Sequence, residues 1–522
     1  MEVLVHQQLR AYLRAVGGSD WPHHLTLARL VARTLHLHRD ALMQISGQAT
    51  YHYHHTLSYL VPLLLLPGPA VLVTCPATQQ YILHGQLPQL LEFLPIDKPV
   101  VTAPTWPDKN FQGLLLITQA DWLRGMLAAT PMIPSALPTV IDGLEMLETT
   151  AQAVLTVKLT PADWEELTRC FPQARQAIRD VLIKLIHEVF QYPRNPYGCY
   201  RLSRLAIERL LQLLTGLLAT YSVNLPQAWQ QWFMMLKTPQ YHCLLANPDA
   251  DYGQITLQGF PLKIQDQLQA LWPRQPLVFL GQQIELDPQA PLWRQRLGLT
   301  GLEAINLAFH PARAQETLSL YLPQRFPLPN TPEFAPYLQA QLGGLLWQFQ
   351  ARSSRPENPW FAVVIVDDLP LREQIAANLA ASFGSQVRVE APLRSERGIL
   401  ICRWQYWVAQ SRSFPIPQAL LVVTLPIPSR ENPPVAARIE FYKQQHRDWF
   451  REYLWPECLS RLAQLIAPIR NQKTLLALFD TRIIHRSYGQ DVLNLLSPYE
   501  PVEISQVNAL EPWLEELKLE AP

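Results

Sequence analysis

Short runs of apolar, often β-branched residues recur along this chain with amphipathic stretches between them. That alternation restricts the fold more than any other feature. Ala70–Thr74, Gln112–Thr118 and Thr139–Ile141 are such runs in the first third. Leu277–Leu280 is another; Phe361–Val366, Val387–Glu390, Gly398–Cys402, Ala419–Thr424 and Thr474–Phe479 follow. A strand with one wet face alternates apolar and polar residues, whereas a run apolar throughout is buried on both faces. Helical spacing at Gln7–Val16, Leu25–Leu35, Leu371–Ser382, Val435–Gln445 and Pro456–Ile466 supplies the covering layers. The expected fold class is therefore α/β, with two parallel sheets, each covered on both faces.

Residues 151–265 break the rhythm. Thr160 is a suitable N-cap for a helix over Pro161–Arg169. Gln173–Phe190, Ser203–Leu218 and Pro226–Leu236 then read as amphipathic helices, with little strand signal before Gln254–Leu257. This is a mainly helical insertion. Strand character returns at Leu277, and Tyr321–Pro332, with four prolines, reads as a connector. The expected division is a first domain over 1–150 and 266–330, the insertion between them, and a second domain over 331–522.

Composition narrows the function. The 43 basic residues balance 43 acidic ones, which excludes a simple polybasic nucleic-acid binder. Hydrophobic residues make up 48%, which excludes a disordered chain. There are only 20 glycines, where ordinary usage gives roughly 37, so a Gly-rich phosphate cradle is hard to assemble. The six cysteines form no CxxC, which argues against an iron–sulfur cluster and for reduced core thiols. The most apolar run, Leu60–Val73, is broken by Pro67, Gly68 and Pro69 and is too short to span a membrane. The expectation is a soluble, cytoplasmic protein without a membrane partner.

Several segments, taken in order, carry a resemblance. These are Thr56–Pro62 (TLSYLVP), Val71–Pro88 (VLVTCPATQQYILHGQLP), Leu116–Leu123 (LITQADWL), Thr139–Leu147 (TVIDGLEML), Leu425–Glu440 (LPIPSRENPPVAARIE) and Leu478–Gly489 (LFDTRIIHRSYG). Their order and spacing resemble the motifs of DinG/XPD-type superfamily-2 DNA helicases, with the helical insertion where that family places its arch domain. The resemblance implies two RecA-like domains, the first interrupted by an arch-like insertion. It also implies ATP and Mg²⁺ as ligands and single-stranded or branched DNA as partner.

The same resemblance shows what is missing. Thr56 keeps the hydroxyl that would meet Mg²⁺, but the Gly-Lys before it is His54-His55. Asp142 is kept as a magnesium ligand, while the glutamate base that should follow is Gly143. The motif V segment reads Trp407–Ser411 without its acids. In Ala463–Arg470 the second arginine survives as Arg470, and the arginine-finger place is Ala467. Such a finger is worth roughly 10³–10⁵ in rate. The adenine-reading motif survives as Pro22 and, at best, His24. Candidate nucleotide contacts are thus Thr56, His55, Asp142 and Arg470. Asp142 and Arg470 are vestiges of the catalytic set, and ATP with Mg²⁺ stays open as a ligand.

His23, His24, His36, His38, His52, His54 and His55 invite a metal. Without a Cys or carboxylate at ligand spacing they read as fillers of a decayed loop and a helix face, and no metal site is expected. The stretch Arg438–Arg486 interleaves basic residues with Tyr442, Trp449, Tyr453 and Trp455, the chemistry of single-strand binding. Arg438, Arg447, Arg451 and Arg461 are its candidate contacts; the plainer reading of each is a solvated helix face over core aromatics. The function expected is a helicase homologue that binds nucleic acid, has weak or lost ATP hydrolysis and acts in DNA maintenance. An active helicase with non-standard motifs and a protein-interaction scaffold are the alternatives.

Overall fold

The computed structural model describes residues 1–18, 23–46, 55–94, 96–128, 130–193, 195–249, 251–282, 284–308, 317–352, 360–392, 397–470 and 472–502. Contacts gather the chain into two compact units. One is built on Met1–Ile45, His52–Leu307 and Pro428–Tyr453, the other on Ala308–Ile427 and Leu454–Pro522.

In the first unit the opening strands are β1 (Ala41–Ser46), β2 (Ala70–Val73), β3 (Val100–Thr102), β4 (Leu114–Ile117) and β5 (Thr139–Asp142). The insertion then contributes β6 (Val157–Leu159), β7 (Tyr200–Arg201), β8 (His242–Asp249) and β9 (Gln254–Pro261). The chain returns through β10 (Leu277–Gln282) and β11 (Ala304–Ala308) to complete a seven-stranded sheet of order β11-β1-β10-β5-β2-β4-β3. The pairs β1–β10, β10–β5, β5–β2, β2–β4 and β4–β3 are parallel. β2, β4 and β5 are buried at every position, which is why their sequences do not alternate.

The insertion is mainly helical but not wholly so. Thr160 opens the helix Pro161–Cys170 with a capping box closed by Asp163. The helices pack Trp164, Leu185, Leu210, Leu214, Trp229 and Trp232 into one core. Beside them β6, β9, β8 and β7 form a four-stranded antiparallel sheet, which the sequence reading did not foresee.

The second unit holds β12 (Leu318–Tyr321), β13 (Phe361–Ile365), β14 (Val387–Val389), β15 (Gly398–Cys402), β16 (Ala419–Val422), β17 (Leu475–Leu478) and β18 (Tyr499–Pro501). All pair in parallel, in the order β14-β15-β13-β16-β17-β12-β18. Asp480 follows β17. It accepts the Leu425 amide at 2.9 Å and pairs with Arg482 through Nε at 2.8 Å and Nη2 at 2.6 Å. Gly489 has no freedom to be anything larger, because a Cβ there would lie 1.8 Å from the Ile483 carbonyl oxygen.

The units differ from the expected division in two places. Leu318–Tyr321, expected with 266–330, is a strand of the second sheet because it pairs with both β17 and β18. Pro428–Tyr453, expected within 331–522, packs with the first unit. Its helix Pro433–Gln444 places Ala437 against Cys243, Leu245 and Phe260 of the insertion sheet. Tyr197 donates to Ser429 Oγ at 2.7 Å, and Arg201 pairs with Glu440 at 2.6 Å.

Candidate nucleotide site and nucleic-acid surface

β5 ends on Asp142, and the parallel register that pairs Ile141 with Val73 sets Thr74, the residue after β2, beside it. His55 precedes the buried helix Thr56–Leu65, and Tyr59 lies one turn into it. Three side chains converge on the Asp142 carboxylate. His55 Nε2 is 3.0 Å from Oδ1, the Tyr59 hydroxyl donates to Oδ2 at 2.9 Å, and the Thr74 hydroxyl donates to Oδ2 at 3.3 Å. The His55 and Tyr59 rings meet edge to face at 5.7 Å. Gln119 holds the turn after the strand, its amide donating to the carbonyls of Asp142 and Gly143 at 2.9 Å each.

Burial sets the electrostatics. It raises the Tyr59 phenol well above its ordinary range, and the Asp142 charge adds to this, so Tyr59 stays a donor. The Glu145 carboxyl is also raised, first by burial and then by Asp142, with its own backbone bond opposing. Its Oε2 is buried without a partner among the described residues. The Thr56 hydroxyl lies fully buried beside the Tyr59 phenol and makes no well-formed hydrogen bond among the described residues.

As arranged, this group does not suit a magnesium-bound nucleotide. A carboxylate has about four acceptor positions, and three are taken here by protein donors. Magnesium demands near-octahedral oxygen ligands, and among the described residues of this group there is no lysine for a phosphate. Gly143, where the resemblance would put the base, has φ at +86°, a left-handed conformation that favours glycine over glutamate. Gly47, His52, Tyr53 and His54, which precede His55 in sequence, and Pro22 lie outside the described residues.

No protein-family model matches the chain, and no curated protein matches it in sequence. Among solved structures, an XPD helicase superposes with a TM-score of 0.56 over 92% of this chain and 98% of its own, at 10% identity. XPD in its apo form does so with a TM-score of 0.56 over 91% and 99%, at 11% identity. The chain has the fold of these XPD structures. Its two parallel sheets with flanking helices are the two RecA-like domains of that fold, and the expected fold class stands. No helix among the described residues is long and apolar enough to cross a membrane.

Within this helicase fold the candidate residues separate. His55, Thr56 and Asp142 come together in the first unit. Arg470 belongs to the second, where it caps the helix Gly489–Leu496. Its guanidinium donates to the carbonyls of Leu496 at 3.3 Å and Ser497 at 3.1 Å, and also to that of Leu495. Tyr59, Thr74 and Gln119 were not among the candidates. The available signal was that Thr74 and Gln119 each stand just past a buried strand, at the carboxyl edge where α/β sheets place their sites.

The arginines divide in the same way. Arg438 pairs with Glu148 at 3.6 Å, donates to Gln152 at 2.9 Å and lies over the Tyr453 ring. Arg447 pairs with Glu452 and lies over Tyr442. Arg461 pairs with Glu457 at 3.0 Å over Trp404. Tyr442, Tyr453 and Trp455 are buried, so no base can stack on them. Arg451 alone of the four is largely exposed, at 79%, with Asp448 at 3.8 Å. Nearby in sequence, the exposed Arg430 and Lys443 flank the half-buried Trp449 ring at 5.4 and 5.6 Å. These contacts group two cations about one partly exposed indole. Arg430 lies just upstream of the stretch that the sequence singled out.

Proposed function

We propose that this chain is a DinG/XPD-type helicase homologue that binds nucleic acid, has weak or lost ATP hydrolysis and serves DNA maintenance. The observation that carries this reading is the Asp142 carboxylate, closed by His55, Tyr59 and Thr74 inside a helicase fold. A hydrolytic site needs that carboxylate open to a metal, a lysine on the phosphates and a base beside the water. Here the carboxylate is engaged, and the two other positions hold His55 and Gly143.

Nucleic-acid binding is supported by the fold and by Arg430, Lys443, Trp449 and Arg451. Phosphate contacts would come from the cations and base stacking from the indole. A labelled single-stranded oligonucleotide titrated against the full chain tests this. The log of affinity should fall with log salt by about 0.7 per phosphate contact. Trp449→Ala should weaken binding by the worth of about one stacked base, roughly 1–3 kcal/mol. Absence of salt-dependent binding would favour a protein-interaction scaffold instead.

A further inference from the structure

The insertion carries a groove of about 980 Å³ between the helices Pro161–Cys170 and Arg175–Gln191 and the start of β9. Ile178, Leu182, Ile186 and Ile255 give it an aliphatic floor. Arg169, Arg175 and Arg179 line it and are exposed, against one acidic lining residue, Glu165. None of the three guanidiniums has a hydrogen-bond or ion-pair partner among the described residues. Their neighbours in the insertion differ: Arg201, Arg204 and Arg209 each pair with a glutamate.

Arg175, Arg179, Leu182 and Ile186 follow steps of four, three and four, so one face of the helix lines the groove, basic at its start and aliphatic further on. Phe190, one step beyond, is 43% exposed and continues the apolar stripe. Arg175 also opens this helix, where the positive end of the helix dipole disfavours an uncompensated cation. The surface is therefore complementary to carboxylates and aliphatic side chains together. A nucleic-acid strand fits it poorly. Trp164 is the only aromatic lining residue, is 3% exposed and meets Trp229 edge to face at 4.7 Å, so it offers no face to a base.

We infer that this groove docks an acidic amphipathic helix of a partner protein, with leucine-type side chains on the aliphatic floor and carboxylates on Arg169, Arg175 and Arg179. The inference rests on the insertion alone and is independent of the nucleotide site and of the Trp449 surface. The test uses the full chain and a short fluorescent peptide with Leu at i, i+3, i+4 and i+7 and Glu elsewhere. Saturable, salt-sensitive binding is expected. It should weaken by about tenfold or more with Arg175→Glu and Arg179→Glu combined. Arg204→Glu, at a site paired with Glu208 outside the groove, should leave it unchanged. A peptide with Lys in place of Glu should not bind. Circular dichroism melting of each variant should match the parent, since the reversed side chains are exposed; Arg179→Ala gives a milder second readout. No saturable binding, or binding indifferent to the reversals, would overturn the inference. So would an oligonucleotide that loses affinity with the same reversals while the peptide fails to bind.

Discussion

Asp142 is the shared acceptor of His55, Tyr59 and Thr74, so its removal leaves several buried donors without a partner at once. Asp142→Ala should destabilise the chain by about 2–4 kcal/mol, read as a shift in the urea midpoint. A surface carboxylate would lose far less, and a shift under about 1 kcal/mol would mean the network is weak. Restoring the missing base should also fail. Gly143→Glu places a side chain at φ +86°, which costs about 1–2 kcal/mol, and should not raise ATPase activity. Lys98 gives a pH signature. Its ammonium donates to the carbonyls of Leu63 and Leu66 at 2.8 Å each, closing the helix Thr56–Leu65, and burial lowers it from 10.5 to about 8. The unfolded chain then binds more protons between those values, so this group's contribution to stability should rise with pH from about 8 to 10.5. Urea midpoints of the parent and Lys98→Met across that range should diverge in the parent's favour; a flat difference would contradict the assignment.

At the scale of elements, capping and close approach decide what the polar motif residues do. Arg470→Ala should uncap Gly489–Leu496 and cost about 1–2 kcal/mol, without changing oligonucleotide affinity. β2, β4, β5, β10, β13, β15, β16 and β17 were legible because burial on both faces leaves them apolar throughout, whereas β1, β3, β11 and β18 carried no such signal and were not expected. β8 was not legible. Its apolar residues, Cys243–Ala246, make a run of only four, and the strand goes on through Asn247, Pro248 and Asp249, residue types uncommon in strands. β12 was hidden by the prolines that follow it. Asp142 and His55 were legible as candidates, one at a strand end and the other before a helix. Tyr59 was not, because a tyrosine in a wholly apolar helix looks like core until the carboxylate it bonds is placed. The partners of Arg438, Arg447 and Arg461 depend on tertiary packing, which no local pattern carries.

Over the whole molecule, a neutral chain can hold nucleic acid only through a local surface, and the proposed one is Arg430, Lys443, Trp449 and Arg451 in the first unit. Combined Arg430→Glu and Lys443→Glu should weaken oligonucleotide binding and flatten its salt dependence by about one to two phosphate contacts. Glycine scarcity and the helicase frame now bear on one locus. Under the proposed function Asp142 and Thr56 stand where a motor would grip phosphate, and His55, Tyr59 and Thr74 close on that carboxylate instead. Single-turnover ATP hydrolysis by the full chain, with and without single-stranded DNA, tests that claim most directly. The account predicts turnover far below the roughly 1–100 s⁻¹ of working phosphoryl-transfer enzymes, unstimulated by DNA and indifferent to Asp142→Asn. DNA-stimulated turnover of about 1 s⁻¹ or more, abolished by Asp142→Asn, would contradict it.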